Sequence, residues 1–143
     1  MYFRAEHPGP IDLFDLHCAA PQDFPFLLQS VAGHHQSGRY DILFGHPRQA
    51  LTATPDVNFF EALSAELRAA LRSEDTDLPF IGGWFFLLNY EAARYAEPSL
   101  NLPPAPYALP EALAVRCTAA LIYDHETQIC HTVAEESEAQ LLA

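Results

Sequence analysis

The chain contains no lysine, and its seven cationic side chains are all arginines. They are outnumbered by 19 acidic residues, which gives a formal net charge of -12 over 143 residues. Nucleic-acid binding normally needs a basic face that displaces counterions from phosphate, and the sequence has no basic cluster. Without lysine, Schiff-base chemistry, a Walker-type phosphate loop and a polybasic membrane patch are also excluded. We therefore expect no nucleic-acid partner and no membrane partner.

Cysteine is also scarce: Cys18, Cys117 and Cys130 are odd in number and lack the spacing of a zinc site or disulfide framework. This indicates reduced, buried thiols, and we expect no metal or cofactor in this chain. The N-terminus has no long apolar segment behind a basic start, and no uncharged helical run approaches the roughly 18 residues that span a bilayer. We expect a soluble, cytoplasmic protein.

Apolar residues make up 50% of the chain, enough to bury the core of one ordinary domain. The most distinctive stretch is 80–91, which carries no charge before Glu91 and contains Gly82, Gly83 and the single tryptophan, Trp84. Such a run predicts a strand buried on both faces. Adjacent glycines predict a bulge or the close approach of another backbone.

The extended runs predict an α+β fold with a mostly antiparallel sheet of about six strands. The predicted strands cover residues 24–31, 39–44, 49–54, 80–89, 112–123 and 128–133. Residues 45–48 are typical of a hairpin turn, as are residues 124–127.

One main helix is predicted over about residues 58–73, packed on one face of the sheet. Asn58 provides its N-cap and Glu61 the capping-box partner, and apolar residues then recur at helical spacing.

Two short helices are predicted, near 90–95 and over 134–142. In the first, Glu91 and Arg94 face each other three residues apart. The five prolines of 98–110 predict an irregular surface connection after it.

Six short motifs follow one another in a fixed order. They are Leu27-Leu28-Gln29-Ser30, Arg39-Tyr40-Asp41, 78–83, 90–94 with Glu97, Leu109-Pro110 and 122–125. In this order and spacing, from about residue 20 to the end, the chain resembles the N-terminal region of chorismate-using amidotransferase synthases. Within that family the likeness is greatest to component I of aminodeoxychorismate synthase (para-aminobenzoate synthase), and component I of anthranilate synthase is its sister branch.

The resemblance implies that residues 1–143 are a single N-terminal domain of a longer synthase whose catalytic C-terminal domain, with its Mg²⁺, is absent. The parent enzyme would aminate chorismate with glutamine-derived ammonia to 4-amino-4-deoxychorismate, towards 4-aminobenzoate and folate. The implied partners are that catalytic domain and a glutaminase subunit, component II. No catalytic residue is expected in this chain, which alone is expected to be inactive.

An amino-acid pocket, with tryptophan as the candidate ligand, is also implied by the resemblance. The matching positions are Gln29, Ser30, Arg39, Tyr40 and Asp41. An amino acid needs an acceptor for its ammonium, such as Asp41 or the Ser30 hydroxyl, and an apolar wall such as Tyr40. The alternative is a hairpin whose polar groups satisfy one another.

Gln29 stands where the feedback-regulated anthranilate enzymes usually carry glutamate, which favours the aminodeoxychorismate branch. Two alternatives stay open: an anthranilate synthase component I region with a tryptophan feedback site, and a stand-alone small-molecule-binding or interaction module. The loop histidines His34 and His35 lack a third metal ligand at useful spacing.

Overall fold

The computed structural model describes residues 1–30, 38–54, 56–70, 75–106 and 108–138. Its strands are β1 (Tyr2–Pro8), β2 (Phe26–Leu28), β3 (Tyr40–Thr52), β4 (Gly83–Leu88), β5 (Ala112–Asp124) and β6 (Ile129–Glu135). Its helices are α1 (Leu13–Ala19), α2 (Phe59–Ala70) and α3 (Ala93–Ala96), and a 3₁₀ turn, Tyr90–Ala92, precedes α3. The predicted α+β class with a six-stranded antiparallel sheet is confirmed for these residues.

Five of the six strands follow the order β1-β6-β5-β3-β2, and the sixth, β4, pairs with β5 off this path. The predicted hairpin at 124–127 is confirmed, because β5 and β6 pair antiparallel from Ala119↔Ala134 to Asp124↔Ile129. On the other edge of β6 lies β1, paired antiparallel from Tyr2↔Glu135 to Pro8↔Ile129. None of the helices in the described ranges is both long and apolar enough to cross a bilayer.

Contacts divide the chain into two compact units. The first contains Met1–Arg48, Asp75–Gly83 and Arg116–Ala143, and the second contains Gln49–Glu74 and Trp84–Val115. The proposal of a single N-terminal domain stays a prediction.

The first unit buries apolar side chains on both faces of its strands. One cluster contains Leu13, Leu43, Tyr123 and Cys130, and the other contains Leu78, Ala120, Ile122 and Val133. Ile122 and Tyr123 of β5 belong to different clusters, because successive side chains of a strand point to opposite faces of the sheet.

The core of the second unit is built around α2. Its Phe59 and Leu63 are buried against Ala92, Ala112 and Ala114. Each such side chain contributes about 2 kcal/mol when removed from water.

The predicted N-cap of α2 is present, because the side-chain oxygen of Asn58 accepts a hydrogen bond from the Glu61 backbone N–H at 3.3 Å. The main helix is thereby confirmed over Phe59–Ala70. The rest of the predicted span, 71–73, lies outside the described residues.

The predicted turn at 45–48 is wrong, since β3 runs through it as one 13-residue strand. A turn-like sequence is accommodated inside the strand because His46 adopts a left-handed φ of 51°. Its backbone N–H donates to the carbonyl of Asp23 at 2.7 Å, a distant partner that local turn chemistry does not reveal.

The prediction of a strand buried on both faces at 80–89 is also wrong. β4 is shorter, and its second half is exposed, with Phe86 at 58% and Leu88 at 42% exposure. The first strand, predicted over 24–31, is likewise reduced to Phe26–Leu28, and residue 31 lies outside the described residues.

Gly82 directly precedes β4, and Gly83 is its first residue. A side chain approaches Gly82 closely, whereas the sequence predicted the approach of another backbone. Gly82 has a φ of 122°, and a Cβ built there would lie 2.8 Å from Cγ of Glu135. The Arg116 guanidinium pairs with the Glu135 carboxylate and donates to the carbonyl of Gly83 at 2.9 Å. Gly82 therefore makes room for a partly buried ion pair, whereas a Cβ at Gly83 would contact the ring of Phe80.

The short helix predicted near 90–95 is confirmed by the 3₁₀ turn and α3. Arg94 does not pair with the carboxylate of Glu91; its Nε donates to the Glu91 carbonyl, and its Nη2 lies 3.5 Å from the carboxylate of Glu111. The helix predicted over 134–142 is wrong at its start, because β6 runs to Glu135 and a 3₁₀ turn follows at 136–138. Residues beyond 138 lie outside the described ranges.

Two elements escaped prediction. β1 is mostly exposed, and Arg4, Glu6 and His7 interrupt its apolar residues, so it shows no apolar run. Helix α1 is short, and Asp12 caps it by accepting hydrogen bonds from the backbone N–H groups of Phe14 and Asp15. No disulfide joins the three cysteines; Cys117 and Cys130 are buried as predicted, whereas Cys18 is exposed.

Candidate functional site

Among the five predicted site residues, Ser30 and Asp41 are joined by a hydrogen bond. The backbone N–H of Ser30 donates to Oδ1 of Asp41 at 2.8 Å. The antiparallel pairing of Leu28 with Ile42 explains this, because it places the residues that follow β2 beside the start of β3. Asp41 is only 9% exposed, so its carboxylate lies almost entirely out of solvent.

The second oxygen of Asp41 faces His125, to which the sequence assigned no role. Nε2 of His125 lies 3.0 Å from Oδ2 of Asp41. The His125 backbone N–H donates to the carbonyl of Arg39 at 2.8 Å, and its ring packs edge-on against Tyr123 with centroids 4.9 Å apart. Both carboxylate oxygens of Asp41 therefore have partners within the chain. Ser30 lies beside the paired strands β2 and β3 that the hairpin alternative concerns, whereas His125 lies outside them, directly after β5.

Arg39 is held by a different carboxylate, that of Asp124. Nε and Nη2 of Arg39 donate to the two oxygens of Asp124 at 3.0 and 2.7 Å, and Glu126 adds a contact at 3.2 Å. Hydrogen bonding to the guanidinium holds the pKa of the buried Asp124 carboxyl well below its usual range. The same pair raises the pKa of Arg39, so the guanidinium is committed to this contact.

Tyr40 lies on the opposite face of β3 from Asp41. It packs with Ile42 against one apolar cluster of the first unit, while Leu43 belongs to the other. Residues 41 and 43 share a face because side chains alternate along a strand. Burial raises the pKa of the Tyr40 hydroxyl, and the Arg39 guanidinium stacks over its ring at 4.9 Å.

Gln29 follows β2 directly and is exposed beside Ser30. Ser30 therefore contacts Asp41, and Arg39 pairs with Asp124. Tyr40 packs on the other face of the sheet. Ligand binding by the five residues stays a prediction.

The sequence missed Asp124 and His125 as partners of this region, although both belong to one of the motifs behind the resemblance. Their turn position identifies a hairpin but not the strand next to it. The Arg39–Asp124 pair joins residues 85 positions apart, and only the adjacency of β3 and β5 reveals it.

A separate cleft of about 540 Å³ lies in the second unit, lined by Ala53, Arg94, Tyr95, Pro98, Leu100 and Glu111. Its polar groups already pair with one another. Arg94 contacts Glu111, and burial together with a hydrogen bond to Glu111 raises the pKa of Tyr95. Across the described residues, no three His, Cys, Asp or Glu side chains are grouped to hold a metal ion; His34 and His35 fall outside these residues.

No protein-family model matches the chain. The chain is 30% identical over 155 residues to "Anthranilate synthase component 1" of Thermus thermophilus, an alignment that covers 97% of this chain and 33% of the relative. It therefore spans about a third of the length of this curated relative. The similarity supports the chorismate-utilising enzyme family and does not single out the aminodeoxychorismate branch.

Proposed function

We propose that this chain is the N-terminal scaffold and amino-acid-binding region of component I of aminodeoxychorismate synthase. Its parent enzyme aminates chorismate with glutamine-derived ammonia to 4-amino-4-deoxychorismate, and Mg²⁺ acts in the catalytic portion outside these residues. The observation that carries this proposal is the alignment to a chorismate-utilising component I over 97% of the chain.

The choice of branch rests on Gln29. This residue is exposed directly after β2, next to Ser30, whose backbone contacts the Asp41 carboxylate. A neutral amide there offers less attraction to a ligand ammonium than a carboxylate would. We therefore propose a bound amino acid without tight feedback control.

The second candidate is component I of anthranilate synthase with a tryptophan feedback site, and the name of the Thermus thermophilus relative favours it. Under this alternative the parent enzyme would form anthranilate. A Gln29→Glu substitution would then be a small step towards tight tryptophan binding.

The proposed partners are the catalytic portion of the same polypeptide and a glutaminase subunit. The exposed end of β4 supports a covering partner, because Phe86, Leu87 and Leu88 are followed by the 78% exposed Tyr90. Contiguous exposed apolar side chains of this kind mark interaction surfaces. We place the protein in the cytoplasm, where its free cysteines stay reduced.

Complementation tests the proposal with the full natural reading frame. Expressed together with a glutaminase subunit, it should restore growth of a bacterium that lacks aminodeoxychorismate synthase component I without added 4-aminobenzoate. Rescue of a tryptophan auxotroph lacking anthranilate synthase component I, instead, would support the second candidate. Rescue of neither strain by well-expressed protein would favour a stand-alone module.

A further inference from the structure

The carboxylate of Asp41 can receive a ligand amine only if one of its present partners leaves. Oδ1 is held by the backbone N–H of Ser30, two residues after the end of β2, where Leu28 pairs with Ile42. Oδ2 is held by the side chain of His125, which is 40% exposed, whereas the Asp41 side chain is 12% exposed. Oδ2 is therefore the oxygen that is more easily freed, because the half-exposed His125 ring can rotate into solvent without moving any backbone, whereas freeing Oδ1 requires the backbone at Ser30 to move.

We propose that His125 is a specificity-determining cover of the amine-binding site, with its ring on the position that the ammonium of an amino acid takes. This inference rests on the amino-acid site of the proposed function. An imidazole N–H donating to a carboxylate at 3.0 Å makes the same kind of contact as an ammonium would. The backbone of His125 stays anchored to the carbonyl of Arg39 throughout, so only the ring moves.

The cover selects for ligands that carry a cationic amine. A site that is open for only a fraction of the time has an apparent dissociation constant equal to the intrinsic value divided by that fraction. A ligand with an ammonium replaces the lost His125–Asp41 contact with one of its own. A ligand without an amine leaves the nearly buried Asp41 carboxylate without that partner, which disfavours its binding.

Calorimetry with tryptophan and with its deaminated analogue, indole-3-propionate, tests the cover. His125→Ala should bind tryptophan about tenfold more tightly than the wild type, because the competing hydrogen bond to a charged group is gone. Indole-3-propionate should gain nothing. The matched control is His7→Ala, which removes an exposed histidine bonded to the Thr132 hydroxyl at 3.1 Å, far along the chain from Asp41, and should leave both affinities unchanged.

A readout on the wild type guards against a variant that fails to fold. On saturation with tryptophan, the NMR signals of the His125 ring should move to the values of a solvent-exposed imidazole. Unmoved ring signals, or unchanged tryptophan affinity in folded His125→Ala, overturn the cover; if Asp41→Asn still abolishes binding, the amino-acid site itself stands. Tryptophan binding to neither the wild type nor His125→Ala overturns the cover together with the site.

Discussion

Asp124, 2% exposed, accepts two hydrogen bonds from the guanidinium of Arg39, at 3.0 and 2.7 Å. The contact joins the residue before β3 to the last residue of β5. The carbonyl of Arg39 also accepts the backbone N–H of His125. The pair therefore helps to fix the register that sets His125 against Asp41.

Asp124→Asn should lower the free energy of unfolding at pH 7 by about 1 kcal/mol, because the charged acceptor is lost from a pair in which Asp124 is buried and Arg39 is half exposed. The pKa of Asp124 is lowered in the folded state, whereas an unfolded aspartate titrates near pH 4. Its stabilising contribution is thus complete above the unfolded pKa and is lost as the pH falls below about 4. Urea unfolding at pH 7, 4 and 3 should show that the free energy of unfolding falls less with acidification in the variant than in the wild type. An equal fall in both proteins would contradict this.

Gly82→Ala should destabilise the protein by about 2 kcal/mol, because a side chain there meets both a left-handed backbone and Glu135. The matched control is Gly9→Ala. Gly9 also has a positive φ, 96°, but a Cβ there meets nothing within 4 Å. Thermal unfolding should show a larger loss for Gly82→Ala than for Gly9→Ala, and equal losses would mean that the contact with Glu135 does not matter.

Asp41→Asn should weaken tryptophan binding at least about tenfold, since an amide lacks the charge that attracts an ammonium. Ser30→Ala separates the contribution of the Ser30 hydroxyl from that of its backbone N–H. It keeps the backbone N–H that bonds Asp41 and removes only the hydroxyl. Calorimetry in which Ser30→Ala weakens binding would assign a ligand contact to the hydroxyl, and full affinity in folded Asp41→Asn would rule out Asp41 as the ammonium acceptor.

Replacing both Phe86 and Leu88 by serine should reduce the fluorescence of a hydrophobic dye and any self-association of the chain, without loss of stability. Both side chains are largely exposed, so their removal costs little core packing. Leu67→Ser on α2 is the control, because Leu67 is similarly exposed, at 45%, outside this strand. Dye binding that falls equally in the control would show that β4 is not a special surface.

Local chemistry was enough to predict some elements. Asn58 specifies the start of α2 by capping a backbone N–H three residues on, and the polar turn at 124–127 specifies the hairpin between two apolar runs. Each signal acts within a few residues, so the sequence displays it directly. The turn predicted at 45–48 was wrong because these turn-like residues lie inside a strand, where the backbone of His46 bonds to the distant Asp23.

The candidate site was predictable only in part. The motif likeness pointed to Ser30 and Asp41, which the structure does bring into contact. The sequence did not predict that Tyr40 lies on the opposite face of β3 from Asp41, because the face of a residue follows only from the true bounds of its strand. It also did not predict the contact of His125 with Asp41, because the tertiary fold brings these two residues together.

Product analysis of the full natural protein tests the central claim most directly. The protein is incubated with chorismate, Mg²⁺ and ammonium, and the products are separated by chromatography. The account predicts 4-amino-4-deoxychorismate, which added aminodeoxychorismate lyase converts to 4-aminobenzoate. Anthranilate as the product would contradict the assignment to the aminodeoxychorismate branch, and unreacted chorismate with correctly folded protein would contradict the chorismate-aminating function altogether.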